Sequence, residues 1–332
     1  MDRMTRNPEA IARIIRDADR IAICSHINPD GDTLGCATAM RLGLQYLGKS
    51  VFLFCDGKVP DNLAFLPGAE EIRPPEEAEG AFDLLLTVDI SDVERMGACA
   101  ALMERCRHTA QIDHHPTNPL FMEVNSVDGK APAACVLIRE QLRTLEVPMT
   151  EEIAICLYTG ISTDTGNFAF AYTNAECFRI MAELMECGLP LARLNRILFR
   201  ERSREQLLLL GRAIESIRFY DDGQIAVMTL TARDFQECGA LSEHADKLVN
   251  YAMDTVGVRM AMLAREDGDG TIKFSLRARQ PDTVNDVAQR LGGGGHPQAS
   301  GMTREGTLEE QVQIVLKELR EKLANREDKD QQ

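Results

Sequence analysis

The stretch RIAICSHINPDGDTLGCATAMRLGLQYLG, residues 20–48, indicates the class of fold because it joins three patterns in one unit. Residues 20–26 form an apolar run of the length of one strand, and a polar turn rich in Asp, Pro and Gly follows. Residues 34–48 then repeat apolar side chains at helical spacing and end at a glycine. A strand that leads into a helix in this way is typical of α/β proteins with parallel sheets.

Three further apolar runs repeat the strand pattern, at residues 50–56, 83–90 and 109–115. They are apolar throughout rather than alternating, which favours parallel strands covered by helices on both faces. Residues 131–187 have a mainly helical pattern with a break near 162–168. We therefore predict an N-terminal α/β domain over residues 1–190, with a mainly parallel sheet flanked by helices.

The pattern changes after residue 190. Residues 191–217 are rich in arginine and poor in turn formers, which predicts a helical linker. Residues 271–279 alternate strictly between apolar and polar side chains, as a half-exposed antiparallel strand does. We predict a smaller α+β domain with a mixed or antiparallel sheet over residues 218–325, followed by a polar tail at residues 326–332.

Composition narrows the classes of function. The formal net charge of −15 disfavours a protein that binds long duplex nucleic acid, which requires a basic surface. The ten cysteines contain no Cys-x-x-Cys pair and lie mainly in apolar stretches, which indicates buried, reduced thiols. The sequence has neither an apolar signal segment nor a run long enough to span a membrane. We expect a cytoplasmic protein that does not bind membranes.

Titratable side chains collect where the apolar runs end. His26 is the last residue of the first run, with Asp30 and Asp32 just beyond it, Asp89 lies near the end of the third run, and three adjacent residues end the fourth: Asp113, His114 and His115. Asp164 lies at the break in the helical segment. Parallel strands present their carboxyl ends at one edge of the sheet, where ligands bind in such folds. We expect these side chains to converge there.

Each motif alone has a simpler explanation. Asp30 or Asp32 could be the N-cap of the helix, Asp89 could end a strand, and Asp164 could form an Asx turn. Together the motifs favour a functional site, because five carboxylates at one edge repel each other unless a cation intervenes. Divalent ions supply that charge, and imidazole ligands favour Mn²⁺ over Mg²⁺.

In this order, HINPDGD (26–32), VDISD (88–92), DHHP (113–116) and TGISTDTG (159–166) resemble the four motifs of the DHH phosphoesterase superfamily. LGGGGHPQASG (291–301) resembles the glycine-rich signature of the DHH-associated C-terminal domain. Thr33 stands where many relatives have alanine, a departure that we expect to be harmless. The chain length resembles that of the subgroup with combined oligoribonuclease and 3′-phosphoadenosine-5′-phosphate phosphatase activity.

The resemblance implies two Mn²⁺ ions per active site, with Mg²⁺ or Co²⁺ as substitutes, that activate a water for attack on phosphorus. One ion would be held by His26, Asp30 and Asp89, and the other by Asp32, Asp89, His114 and Asp164. Asp89 would bridge the two ions. The implied catalytic residues are Asp89, Asp113, which orients the site, and His115, which contacts the scissile phosphate.

The second domain carries candidate substrate-binding residues. Alternation places Lys273, Ser275, Arg277 and Arg279 on one strand face, which is either a phosphate-binding surface or an ordinary solvated face. Four consecutive glycines exceed what a helix cap requires, and their N–H groups can approach an anion closely. With the resemblance, the predicted substrate-binding residues are Ser275, Arg277, Gly293, Gly294, Gly295 and His296.

The expected function is hydrolysis of short oligoribonucleotides, about two to five nucleotides long, to mononucleotides, and dephosphorylation of 3′-phosphoadenosine-5′-phosphate to AMP. A phosphodiesterase for cyclic or linear dinucleotides, such as cyclic di-AMP or pApA, is the alternative within the same chemistry. Two less favoured hypotheses are a RecJ-like single-strand exonuclease and a non-catalytic nucleotide-binding protein. The expected partners are short RNA or small nucleotide phosphates, and the resemblance suggests a homodimer.

Overall fold

The computed structural model describes residues 6–267 and 270–330, with side chains described as far as residue 324. The chain forms two compact units, the first ending at Glu201 and the second beginning at Arg202. In the described part of the chain, no helix combines the length and the apolar character needed to cross a bilayer.

The first unit contains a five-stranded sheet in which every neighbouring pair is parallel. The strand order is β2-β1-β3-β4-β5, and the strands are β1 (Arg20–Ser25), β2 (Ser50–Cys55), β3 (Phe82–Val88), β4 (Cys106–Asp113) and β5 (Val124–Val127). The parallel sheet predicted from the four apolar runs is thereby confirmed. The fifth strand was not predicted, because its four residues, Val-Asn-Ser-Val, are few and half polar.

Helices cover one side of this sheet, and short 3₁₀ segments, chiefly Glu94–Arg105, cover the other. The helices are α1 (Pro8–Asp17), α2 (Gly31–Tyr46), α3 (Ala134–Thr144), α4 (Glu151–Asp164), α5 (Ala175–Glu186) and α6 (Leu191–Asn195), and a π-helical turn at Arg196–Arg200 follows α6. The large apolar core lies between the sheet and helices α1 to α5. With both faces of the sheet covered, the apolar runs at β1 and β3 are buried as predicted.

Helix α2 begins at Gly31, three residues before the predicted start, because Asp30 caps it. The Asp30 Oδ1 atom accepts hydrogen bonds from the backbone N–H of Asp32 (3.0 Å) and Thr33 (3.2 Å). The sequence alone left open whether Asp30 caps the helix or binds a cation, and the structure shows that the two roles are compatible.

Two glycines bring α2 and α4 unusually close together. A Cβ atom on Gly35 would lie 2.5 Å from the Cys156 carbonyl oxygen, and one on Gly160 would lie 2.5 Å from Asp32 Oδ1. No other residue fits at either position without displacing backbone or a buried carboxylate. This close packing places Asp164, one helical turn beyond Gly160, beside the N-terminus of α2.

The second unit contains a six-stranded mixed sheet, in agreement with the predicted α+β class. Its strand order is β10-β11-β9-β8-β7-β6, and the strands are β6 (Arg218–Tyr220), β7 (Ile225–Leu230), β8 (Met260–Glu266), β9 (Thr271–Ala278), β10 (Gly294–His296) and β11 (Ala299–Glu305). Only the β7–β8 pair is parallel among these described strands. Strands β6 and β10 have three residues each, too few to give a sequence signal.

Five helices pack on this sheet: α7 (Arg204–Glu215), α8 (Ala232–Cys238), α9 (Val249–Met253), α10 (Asn285–Arg290) and α11 (Leu308–Asp330). One apolar core lies on the face covered by α10 and α11, and the other on the face covered by α7, α8 and α9. The predicted linker, residues 191–217, contains α6, the π-helical turn and α7, with a non-helical break at residues 201–203.

All ten cysteines are free thiols and eight are buried, as predicted. They contribute to the apolar cores rather than to a disulfide framework.

Candidate active site

Three of the four acidic motifs lie at the carboxyl ends of adjacent strands. His26 directly follows β1, Asp89 directly follows β3, and Asp113 is the last residue of β4. These strands are parallel neighbours, so their ends meet at one edge of the sheet as predicted. The fourth motif differs, because Asp164 is the last residue of a helix, α4, and reaches the centre through its packing against α2.

The side chains form two groups that share Asp89. In the first, His26 Nε2 lies 3.7 Å from Asp30 Oδ1 and 3.7 Å from Asp89 Oδ2. In the second, His114 Nε2 lies 3.4 Å from Asp89 Oδ1 and 3.4 Å from Asp164 Oδ2. Asp32 Oδ2 completes the second group at 3.8 Å from the same nitrogen. Each group has the size and the donor set of a divalent-cation site. We refer to both together as the acidic centre.

Backbone carbonyls fix the two imidazoles in the form that binds a cation. The Nδ1 atom of His26 lies 2.7 Å from the Ile27 carbonyl oxygen, and Nδ1 of His114 lies 3.0 Å from that of Ala131. A carbonyl oxygen only accepts, so Nδ1 carries the proton and donates it in each pair. In the neutral ring, the Nε2 lone pair then points into the acidic centre.

Asp89 is the clearest sign that the centre is built for a cation. Its side chain is buried, and its Oδ1 atom has no hydrogen-bond partner among the described residues. Its backbone has a positive φ of 57°, a strained conformation for a non-glycine residue. Burial, reinforced by the charge of Asp32, raises the pKa of Asp89 well above its usual range. A cation would relieve both the missing contact and the repulsion.

In the absence of a cation, the imidazole of His114 carries the compensating positive charge. Burial opposes its protonation, but Asp89, Asp32 and Asp164 outweigh burial and raise the pKa of His114 to about 11. Burial, with the charge of Asp32, raises the pKa of Asp164 to about 7. The carboxylates of this centre therefore repel each other strongly enough to retain protons that a divalent ion would displace.

The carboxylate of Asp32 is held by the N-terminus of α3. Its Oδ2 atom accepts from the Ala134 N–H at 2.5 Å and its Oδ1 atom accepts from the Cys135 N–H at 3.0 Å. These donors favour the ionised form, although burial is the larger effect and raises the pKa of Asp32 overall. The sequence motifs do not indicate this contact, because backbone donors give no residue-type signal.

Asp113 lies outside the two groups that share Asp89 and contacts His115 instead. Its Oδ1 atom lies 2.8 Å from His115 Nδ1, and its Oδ2 atom accepts from Asn118 Nδ2 at 2.6 Å. Burial raises the pKa of Asp113, but the hydrogen bond with His115 contributes to a net lowering, so Asp113 is ionised. The His115 ring is thereby oriented with Nδ1 toward Asp113, and it is about one-third exposed. Asn118 was missed in the sequence, although it follows DHHP by only two residues.

Two cysteines were also missed beside Asp32. The Cys36 and Cys135 sulfur atoms lie 3.4 Å apart, and Cys36 Sγ lies 3.7 Å from Asp32 Oδ1. Burial raises the pKa of both Cys36 and Cys135 well above the usual range of a thiol, so both remain thiols. We interpret them as packing groups between α2 and α3.

In the second unit, the register places four candidate residues on one sheet face. His296 pairs with Ala299, which pairs with Arg277, and Gly294 pairs with Gly301, which pairs with Ser275. Alternate residues of paired strands share a face, so the small residues in β11 leave open space between Arg277 and His296. We call this surface the Arg277 face.

Arg277 is half-buried and forms no ion pair among the described residues, and its Nη1 atom donates to the Leu276 carbonyl oxygen at 2.9 Å. Burial alone lowers its pKa. A half-buried guanidinium without a carboxylate partner is available for an anion.

The glycine run divides between structural and open positions. Gly292 has a φ of +85° and follows the C-terminus of α10, as a helix cap requires. A Cβ atom on Gly293 would lie 2.2 Å from the Gly301 carbonyl oxygen, and one on Gly295 would lie 2.6 Å from that of Ala299. Gly294 has open space where a side chain would be. Two of the three predicted substrate-binding glycines are therefore also required by the contact with β11.

Comparison with known proteins agrees with this arrangement. The model of the DHH family N-terminal domain matches residues 20–161, and that of the DHHA1 domain matches residues 222–325. The bifunctional oligoribonuclease and PAP phosphatase NrnA of Thermus thermophilus is 34% identical over 91% of this chain and 90% of its own length. The protein of the same name from Bacillus subtilis is 27% identical over 88% of this chain and 91% of its own length.

A solved structure shares the whole architecture. The crystal structure of an exopolyphosphatase-related protein from Bacteroides fragilis has a TM-score of 0.87 and 25% sequence identity, and the match covers 94% of each chain. A parallel sheet with an acidic, histidine-containing centre, joined to a mixed-sheet unit, defines a hydrolase of the phosphoesterase class. The chain belongs to the DHH family and carries the DHHA1 domain at its C-terminal end.

Proposed function

We propose that this phosphoesterase hydrolyses short oligoribonucleotides, about two to five nucleotides long, to mononucleotides and converts 3′-phosphoadenosine-5′-phosphate to AMP. The names of the two curated relatives, each similar over most of its length, support this choice of substrates. The observation that carries the proposal is the buried Asp89 carboxylate, whose two oxygens face His26 and His114 separately and which has an unpartnered Oδ1 atom.

The acidic centre has the donors to hold two divalent ions. His26, Asp30 and Asp89 would bind one, and Asp32, Asp89, His114 and Asp164 would bind the other. Mixed imidazole and carboxylate donors favour Mn²⁺, with Mg²⁺ or Co²⁺ as substitutes. When bound, such a pair lowers the pKa of a water and neutralises charge on the phosphoryl oxygens.

The protein's own groups position the phosphate for this chemistry. Asp113 fixes the His115 ring, which in its imidazolium form can donate through Nε2 to a phosphoryl oxygen. Asp113 would thus act by orienting His115. The proposed substrate-binding residues of the second unit are Ser275, Arg277, Gly293, Gly294, Gly295 and His296, with the guanidinium of Arg277 on a phosphate of the nucleotide.

The net charge of −15 supports a small substrate. A local cationic surface can hold one terminal phosphate while the remaining surface repels a long polyanion. We expect a cytoplasmic enzyme, consistent with ten unpaired cysteines, that acts as a homodimer on short RNA or small nucleotide phosphates and binds neither long duplexes nor membranes.

A substrate panel with Mn²⁺ tests the proposal. The purified protein is assayed with a diribonucleotide, a 20-mer RNA, 3′-phosphoadenosine-5′-phosphate, pApA and cyclic di-AMP, and bound metal is counted by mass spectrometry. We expect faster turnover of the diribonucleotide than of the 20-mer, and two metal ions per chain. Faster cleavage of the 20-mer would support a RecJ-like exonuclease, preference for cyclic di-AMP would support the signalling phosphodiesterase, and no turnover would support a binding protein.

A further inference from the structure

Exposed aromatic side chains cluster next to the acidic centre. Six phenylalanine and tyrosine side chains are exposed among the described residues, and two of them, Phe170 and Tyr172, lie within ten residues of Asp164. Phe170 is 50% exposed and Tyr172 is 53% exposed. Neither has a place in the roles assigned above.

 Phe170 and Tyr172 lie six and eight residues after Asp164, and we refer to these two side chains as the aromatic pair.

A strained turn directs the aromatic pair back toward the acidic centre. Gly166, Asn167 and Phe168 all have positive φ, at 58°, 56° and 65°. For a bulky residue such as Phe168 this conformation is unfavourable, and it persists only where the surroundings hold it. Here the Phe168 N–H donates to Thr165 Oγ1 at 3.1 Å, and the Phe168 ring packs against Phe178 with centroids 5.5 Å apart.

The turn places both rings against the chain around Asp164. The Tyr172 hydroxyl donates to the Asp164 backbone carbonyl at 2.8 Å. The Phe170 ring packs over Gly166 so closely that a Cβ atom there would lie 2.6 Å from ring atoms. The ring centroids of Phe170 and Tyr172 are 5.8 Å apart. The aromatic pair is therefore anchored next to a residue of the acidic centre, while about half of each side chain stays exposed to solvent.

We propose that the aromatic pair is a stacking surface for the nucleobase of the nucleotide whose phosphate occupies the acidic centre. This inference rests on the proposed function and adds a base-binding position to it. Stacking on an aromatic ring tolerates every base, because each base has a π-face. A general enzyme for short RNA needs such sequence-independent binding. The hydroxyl anchor of Tyr172 limits ring motion, which reduces the entropy lost on binding.

Leucine substitutions test the proposal, since leucine keeps apolar contact but has no π-face. The variants are Phe170→Leu, Tyr172→Leu and the double variant. The matched control is Tyr46→Leu, which removes a ring that is 65% exposed at the opposite end of α2 from Asp30. Melting temperatures of all variants establish that they are folded.

Binding is measured without catalysis. The probe is a dinucleotide that contains 2-aminopurine and a slowly hydrolysed phosphorothioate linkage, with Mg²⁺ present. We expect the wild type and Tyr46→Leu to quench the 2-aminopurine fluorescence, because the base stacks. We expect the double variant to lose the quenching and to bind the probe about 5- to 100-fold more weakly. Unchanged quenching in the double variant would overturn the proposal.

Turnover of two substrates separates base stacking from damage to the site. For a diribonucleotide, we expect the double variant to raise KM by a similar factor while kcat changes little. For the corresponding phosphodiester without bases, we expect no change in kcat/KM. An equal loss on both substrates, or a change in oligomeric state by light scattering, would show that the aromatic pair is structural and would overturn the proposal. Quenching without any turnover of nucleotides would support the stacking surface and contradict the proposed function.

Discussion

The acidic centre and the Arg277 face are both polar, but they are organised in opposite ways. In the acidic centre the imidazoles of His26 and His114 are each held by a backbone carbonyl, and Asp89 is buried. On the Arg277 face the polar side chains are half-buried or exposed and lie beside small residues. The difference suggests that the first region needs fixed geometry to bind cations, whereas the second needs access for a substrate.

Replacing Asp89 should give the largest effect. Asp89→Ala removes the carboxylate that both groups share, so we expect loss of bound metal and a decrease in kcat of at least about a thousandfold. The metal-free variant should be no less stable than the metal-free wild type, because an unpartnered buried carboxylate is lost. Mn²⁺-supported turnover, metal counting and calorimetry measure these changes.

The control for this variant is Asp83→Asn on the same strand. Asp83 lies at the opposite end of β3, where its carboxylate accepts from the backbone N–H of Asp19 and Arg20. The Asp83→Asn variant should retain bound metal and activity. Near-normal turnover of Asp89→Ala would contradict the two-cation assignment.

Replacing Arg277 should have a smaller and different effect. Arg277→Ala removes a half-buried cation without disturbing an ion pair, so we expect KM for a diribonucleotide to rise about tenfold or more with metal content unchanged. Lys273→Ala is the matched control, because Lys273 is two steps along the same face of β9 and more exposed. Steady-state kinetics separate KM from kcat. Equal effects of both variants would assign the loss to general surface charge.

The acidic centre should also show a pH dependence that the Arg277 face does not. Without metal, the pKa is about 11 for His114 and about 7 for Asp164. A cation must therefore displace the His114 proton throughout pH 6–8, and below pH 7 it must also displace a proton from Asp164. Mn²⁺ affinity should therefore rise with pH by about tenfold per unit above pH 7 and more steeply below it.

Isothermal titration calorimetry in two buffers of different ionisation enthalpy counts the released protons. We expect proton release at both pH values, and more protons released at pH 6 than at pH 8. Affinity that does not change over this range would contradict the charge distribution described for the metal-free centre.

The smallest effect is expected at Thr33, within the acidic centre. Its buried hydroxyl donates to the Val88 carbonyl at 3.1 Å and accepts from the His26 N–H at 3.3 Å, which joins the ends of β1 and β3. Thr33→Ala should lower the free energy of unfolding by about 1–2 kcal/mol and change kcat by less than about threefold. Thr33→Ser, which keeps the hydroxyl, is the control in denaturant unfolding. A large loss of activity in Thr33→Ala would show that this bridge sets the cation geometry.

Much of the fold was predictable because its main strands are continuous apolar runs. Strands β1 to β4 were found within a few residues, and α11 has buried residues at the spacing expected of an amphipathic helix. The missed strands, β5, β6, β10 and β11, are short or rich in polar and small residues, so their pairing depends on neighbours rather than on their own pattern.

The sequence by itself determined which residue types are available and the order in which they follow the strands. That order predicts a common site, because the carboxyl ends of parallel strands meet at one edge of the sheet. It also indicated the family through four ordered motifs. Only the tertiary structure decided that Asp164 reaches the centre from a helix, through the glycine-mediated approach of α2 and α4. The tertiary structure also decided which imidazole nitrogen of His114 faces the centre, through a backbone carbonyl distant in sequence, and it left Asp89 Oδ1 without a hydrogen-bond partner in the part of the chain that the structure describes.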